Sequence, residues 1–164
     1  MKTLYLIGGT MGVGKTTACR ELKALLPNAV LLDGDWCWDM HPFTVNEETK
    51  AMVLDNICHL LANFLRCSAI EHVIFCWVMH EQSIIGDILS RLDTSACRVV
   101  PVSLVCSEEA LRTRLEKDIA AGLRSAEILE RSAHRLPLYQ ALDTIKIDTT
   151  EMSPVQTAQH IAWM

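Results

Sequence analysis

Apolar residues along this chain fall in short continuous runs separated by stretches where they recur every three or four positions. That alternation predicts strands and helices in turn. Thr3 to Ile7 is a β-branched and apolar run closed by Gly8-Gly9, a strand entering a glycine turn. From Lys15 to Leu26, Ala18, Leu22 and Leu25-Leu26 share one helical face before Pro27 stops the helix. Ala29 to Leu32 predicts a second strand ending in Asp33-Gly34-Asp35, with a loop over 33–45. Asn46 opens a long helix whose inward face reads as Met52, Ile57, Leu60, Leu61, Phe64 and Leu65. His72 to Val78 predicts a third strand, Glu81 to Leu92 a helix with Ile84, Ile85, Ile88 and Leu89 inward, and Val99 to Val105 a fourth strand. Two helices, Glu108 to Ala121 and Ser125 to Leu138, flank Gly122; a weak fifth strand at Thr144 to Ile147 precedes a last helix from Ser153.

Strands that are apolar throughout are buried on both faces, as happens when helical crossovers cover a parallel sheet. The expected fold is therefore α/β: a five-stranded parallel sheet sandwiched by helices, as one domain over residues 1–164. With 50% apolar and 21% charged residues, the composition excludes the signature of disorder. A net charge of −5 supplies no positive field to gather a nucleic-acid backbone, so nucleic acid is not an expected partner. No apolar stretch reaches the ~18 residues of a membrane span, and Met1-Lys2-Thr3 leads directly into a strand. No membrane association and a cytoplasmic location are the expectations. The seven cysteines form no C-x-x-C pair and are odd in number, which points to isolated buried thiols packing as small hydrophobes.

The chemistry is concentrated in Gly9-Thr10-Met11-Gly12-Val13-Gly14-Lys15-Thr16, which fits G-x-x-x-x-G-K-[ST] without a mismatch and lies between a predicted strand and a predicted helix. In such a loop backbone N–H groups converge on phosphate oxygens and the helix start adds its positive end. The lysine reaches the β- and γ-phosphates, and the hydroxyl serves magnesium. With Thr17 in the same turn, residues 9–17 are the expected nucleotide site, for ATP with Mg2+. No N-K-x-D segment is present to read guanine, and the His72 to Val78 strand lacks the acid expected of motors and helicases. The nearest acids instead follow the second strand, where the carboxyl ends of parallel strands line one crevice. Asp33 and Asp35 are thus placed toward the terminal phosphate.

The loop together with Leu31-Leu32-Asp33-Gly34-Asp35 resembles the small-molecule kinases of the P-loop fold, notably shikimate kinase, gluconate kinase and chloramphenicol phosphotransferase. The resemblance implies a phosphotransferase that moves the γ-phosphoryl group of ATP to a small-molecule acceptor. It assigns Asp33 with Thr16 to magnesium, Asp35 to the acceptor hydroxyl, and a lid to about 112–135. Five of the nine arginines fall in that segment, and Arg124, just after Ala121-Gly122, is the leading catalytic candidate beside Lys15 and Asp35. Arg112 with Glu116 and Glu127 with Arg131 also suit ordinary surface pairs. Arg114 begins no paired R-x-x-x-R, since Asp118 stands four residues on, where a second arginine would be expected.

The acceptor is open: a hydroxyl on a sugar acid or antibiotic, or a nucleoside or nucleotide. Trp36, Trp38, Phe43 and Trp77 gather beyond the second and third strands, either as a planar-ligand pocket or as packing. His80-Glu81 reads either as an acceptor contact or as a helix cap, and Asp148-Thr149-Thr150 either as a passage beside adenine or as a helix-entry turn. The rival class is a regulatory module that binds nucleotide and turns it over slowly without an acceptor. Oligomeric state is unspecified. Lys15→Ala is expected to weaken ATP binding or abolish turnover while the fold survives, because the side chain serves phosphate charge rather than the core; ATP titration and far-UV circular dichroism of the variant check both halves.

Overall fold

The computed structural model describes all residues from Met1 to Met164. Its strands are Lys2–Gly8 (β1), Ala29–Asp33 (β2), His72–Cys76 (β3), Cys97–Val105 (β4) and Ile145–Asp148 (β5). All neighbours pair in parallel, in the order β2-β3-β1-β4-β5. The order reverses about β1, and in such sheets the crevice at the carboxyl ends of the strands on either side of the reversal is where ligands bind. The helices are Lys15–Leu25 (α1), Glu47–Arg66 (α2), Gln82–Ser90 (α3), Glu108–Ala120 (α4), Ile128–Arg135 (α5) and Pro154–Ala162 (α6). Two 3-10 turns, Gly34–Trp38 and Leu136–Ala141, complete the chain; the first occupies part of what the sequence suggests is loop. None of the helices is long and apolar enough to cross a membrane.

Alternate residues of each strand feed two separate cores. Tyr5, Ile7, Ile74, Val102 and Leu104 pack with Ala18, Leu22, Leu111, Leu115 and Ile161 on one face. Leu4, Leu6, Val73 and Phe75 pack with Val53, Ile57, Leu61, Ile85 and Ile88 on the other. This is why the strands read as continuous apolar runs. α1 and α6 lie side by side over the first face, and α2 is started by a reciprocal cap in which the Asn46 side chain accepts from Thr49 N–H while Thr49 Oγ1 accepts from Asn46 N–H.

The helical faces differ from the sequence reading in two places. Leu25 and Met52 are 48% and 45% exposed, and Cys19 and Val53 take the fully buried positions. One apolar residue at a helix end or boundary does not reveal the azimuth of the sheet; the neighbours that touch it do. Cys67 is likewise exposed at the end of α2, whereas Cys19, Cys58, Cys76 and Cys106 are buried.

These placements carry a stability contrast. Ile57→Ala, at a fully buried site, is expected to lower unfolding free energy by about 2–5 kcal/mol. Met52→Ala, five residues away and half exposed, should change it by no more than about 0.5 kcal/mol. Urea denaturation midpoints at unchanged slope would measure the difference.

Candidate nucleotide-binding site

The first turn of α1 has Gly14 as its N-cap, no side chain capping it and no acidic residue competing for its N–H groups. Those donors have no intrahelical partner and face a cleft of ≈ 520 Å³ at the carboxyl end of β1, lined by Met11 to Ala18, Asp33, Asp35, Arg114, Asp118 and Arg124 among others. Val13 is buried within the first core, 2% exposed, so its side chain pins the loop while its backbone borders the cleft. Of the residues expected at the nucleotide, Met11, Gly12, Val13, Gly14, Lys15, Thr16 and Thr17 line this cleft, whereas Gly9 and Thr10 lie behind it.

Lys15 Nζ donates to Thr10 O at 3.0 Å, so its ammonium folds back over the loop. Burial pushes its pKa below the ordinary lysine value, and the carboxylates of Asp35 and Asp33 partly oppose that. Thr16 Oγ1 donates to Asp33 Oδ2 at 2.7 Å, and Asp33 Oδ1 accepts from Asp35 N–H at 3.1 Å. A hydroxyl and a carboxylate placed side by side, with oxygen donors only, suit magnesium. No group of three or more His, Cys, Asp or Glu stands ready to encage a metal, and a cation here would complete its shell with water and phosphate oxygens. Asp35 shares the cleft, and its carboxyl is pushed above the ordinary value, first by burial and then by the Asp33 charge, with Lys15, the Trp77 indole and Arg124 pulling the other way.

Gly34 has a specific reason to be glycine: a Cβ there would lie 2.6 Å from Cγ of Trp77, whose ring lies against the turn between the two acids. Trp77 also meets Phe75, with ring centroids 6.4 Å apart, and Trp38 meets Phe43 at 5.9 Å. The tryptophans are therefore not one stack. Trp77 and Trp38 pack against neighbours, and Trp36 is 53% exposed. Glu81 is the N-cap of α3, without a side-chain capping bond, and pairs with His80 at 3.4 Å.

The segment 112–135 divides into two helices tied to the phosphate loop and a turn between them. Arg114 donates to Val13 O at 3.2 Å and, across the cleft, to Thr149 Oγ1 at 3.2 Å, Thr149 O at 2.6 Å and Thr150 O at 3.4 Å. Leu115 seats on the phosphate loop so closely that a Cβ on Gly12, whose φ is +85°, would lie 2.4 Å from its Cδ2. From α5, the Ser132 carbonyl accepts a hydrogen bond from the fully buried Thr10 hydroxyl at 2.8 Å. Between these anchors the chain turns at Gly122, Leu123 is 74% exposed, and Arg124 pairs with Asp118 at 3.1 Å. Arg112 pairs with Glu108 at 3.0 Å rather than with Glu116. Arg131 faces solvent, and Arg135 stands near His80, whose pKa burial and that guanidinium together depress.

Ser132 carries no mark in the sequence, and the ties of Arg114 to Val13 and to the 149–150 turn carry none either, although both regions do. Their roles run through backbone carbonyls, which every residue carries and no motif marks.

A parallel sheet in this order, with a glycine loop and helix start at the carboxyl end of its middle strand, defines a P-loop nucleotide-binding fold of the kinase type. The chain belongs to a family described as AAA domain, whose model matches residues 6–130. No curated protein matches it in sequence. Among solved structures it is similar to the tunicamycin resistance protein of Deinococcus radiodurans (TM-score 0.68, 18% identity, covering 99% of this chain and 95% of that one). It is also similar to a gluconokinase from Sinorhizobium meliloti 1021 (0.65, 16%, 95% and 89%) and to shikimate kinase from Acinetobacter baumannii in complex with shikimate (0.62, 21%, 99% and 91%). At these identities the likeness is one of fold.

The Arg114 ties carry a test. Arg114→Ala removes the bridge from the phosphate loop to the 149–150 turn, and ADP and ATP should lose affinity alike. About tenfold is expected, the worth of one charge-assisted hydrogen bond; calorimetric titration with each nucleotide measures it.

Proposed function

We propose that this protein is an ATP-dependent phosphotransferase that moves the γ-phosphoryl group to a hydroxyl or phosphate of a small molecule. The observation that carries the reading is one cleft holding the α1 start and Lys15, the Thr16–Asp33 pair and the separate carboxylate of Asp35. A purely nucleotide-binding site needs the first two but not the third.

The roles follow from placement. The amide groups of Met11 to Thr17 and the Lys15 ammonium receive the phosphates. Thr16 and Asp33 would hold magnesium, which when bound supplies charge neutralisation of the phosphates. Asp35 accepts or orients the acceptor proton, and its raised pKa makes it a better base than an ordinary carboxylate. Arg124 enters the same cleft from the 118–124 turn and offers charge to the transferring group. Because phosphoryl transfer is mostly positioning and charge stabilisation, these few groups suffice for the chemistry. The gluconokinase and shikimate kinase among the structural neighbours support acceptors of the polyhydroxylated acid kind. The open indole of Trp36 supports, as a second reading, an acceptor with a flat ring such as a nucleoside.

ATP consumption against a panel of sugar acids, nucleosides and hydroxylated antibiotics tests the proposal: one acceptor should raise it. Consumption indifferent to every acceptor would favour a regulatory nucleotide-binding module instead. With the acceptor found, Asp35→Asn should lower the transfer rate roughly 10²- to 10⁴-fold while leaving ATP affinity nearly unchanged. Near-normal transfer in that variant would return Asp33-Gly34-Asp35 to the status of a turn.

A further inference from the structure

The turn that carries Arg124 is built around one residue. After α4 ends, Gly122 N–H donates to Ile119 O and Leu123 N–H to Asp118 O, both at 2.9 Å, which reverses the chain within a few residues. The same Asp118 accepts from Arg124 Nε through its carboxylate Oδ2 at 3.1 Å. Its main chain thus shapes the turn and its side chain holds the arginine the turn presents. Both side chains line the nucleotide cleft and are only 35% and 32% exposed, so the pair is drawn partly out of water, unlike the open Lys50–Glu47 pair.

An arginine has five N–H donors, and this bond uses one. Nη1 and Nη2 make no other hydrogen bond and keep the fork that matches phosphate oxygens in pairs. The guanidinium lines the same cleft as Lys15 and Asp35. A free arginine would lose rotamer entropy on engaging a phosphate, and a guanidinium already fixed at Nε loses less. The phosphate need not displace Asp118, because it would use the other edge of the group.

We propose that Asp118 is a positioning residue: it holds Arg124 by Nε so that both terminal nitrogens face the transferring phosphoryl group. This rests on the kinase reading of Arg124 above. An acid thereby does by orientation what a second lid arginine would do by charge.

The test compares affinities of the full chain for Mg·ADP and for Mg·AMP-PNP, whose ratio isolates the γ-phosphate contribution and needs no acceptor. Arg124→Ala should shrink that ratio about tenfold, the worth of a charge-assisted hydrogen bond. Asp118→Ala should shrink it roughly three- to tenfold, and the double variant no further than Arg124→Ala, because the two act as a unit. Asp118→Asn, which keeps an acceptor oxygen for Nε, should recover most of the loss, and thermal melting of each variant separates this from loss of fold. An unchanged ratio in Asp118→Ala beside a reduced one in Arg124→Ala would overturn the positioning role alone. So would a ratio that rises, which would mark Asp118 as a competitor for Arg124, or losses that multiply in the double variant. Ratios unchanged in both single variants would instead remove Arg124 from the kinase reading.

Discussion

A loop that offers its amide protons to a ligand cannot also use them to hold itself together. In this protein the segment from Met11 to Thr16 borders the cleft with one internal amide bond, Val13 N–H to Thr10 O at 3.3 Å, and further support comes from outside: Val13 is sunk in the core, Leu115 presses on Gly12, Arg114 grips the Val13 carbonyl and Ser132 receives the Thr10 hydroxyl. Much of the surrounding structure can be understood as scaffolding for that exposed backbone. The cost of keeping polar groups unpaired near a protein interior is otherwise of order 1–3 kcal/mol for each.

The same scaffolding positions the groups around the phosphates. β2 lies two strands away from β1, with β3 between them, and its end delivers Asp33 to Thr16 across the gap at the carboxyl edge of the sheet. The next turn then places Asp35 in the cleft, and it can be so tight only because Gly34 leaves room for the Trp77 ring. On the opposite wall α4 and α5 are fastened to the loop, and between them a short turn carries Arg124.

The architecture was largely legible in the sequence because fully buried strands and amphipathic helices write different periods. The five parallel strands lie where apolar runs predict them, with ends displaced by one or two residues. What the pattern could not supply was direction around a helix axis: Leu25 and Met52 are apolar but face water, since burial is decided by the sheet a helix lands on. The phosphate loop and the two acids after β2 carried recognisable signatures. The ties made by Arg114 and Ser132 did not, because they run mostly through main-chain carbonyls that the fold brings to their donors. Arg112 illustrates the same limit, since it had two acids within helical reach and pairs with the one on the N-terminal side.

Arg114 joins parts of the chain that are 101 and 35 residues from it in sequence. Bringing such distant segments together costs loop-closure entropy that is recovered only once the intervening elements have packed. The complete cleft therefore requires α4 and the 149–150 turn to be packed against the loop. Thermodynamic linkage turns this around: a nucleotide that recognises only the completed arrangement must stabilise the whole sheet, from β1 to β5, together with the helices packed on it.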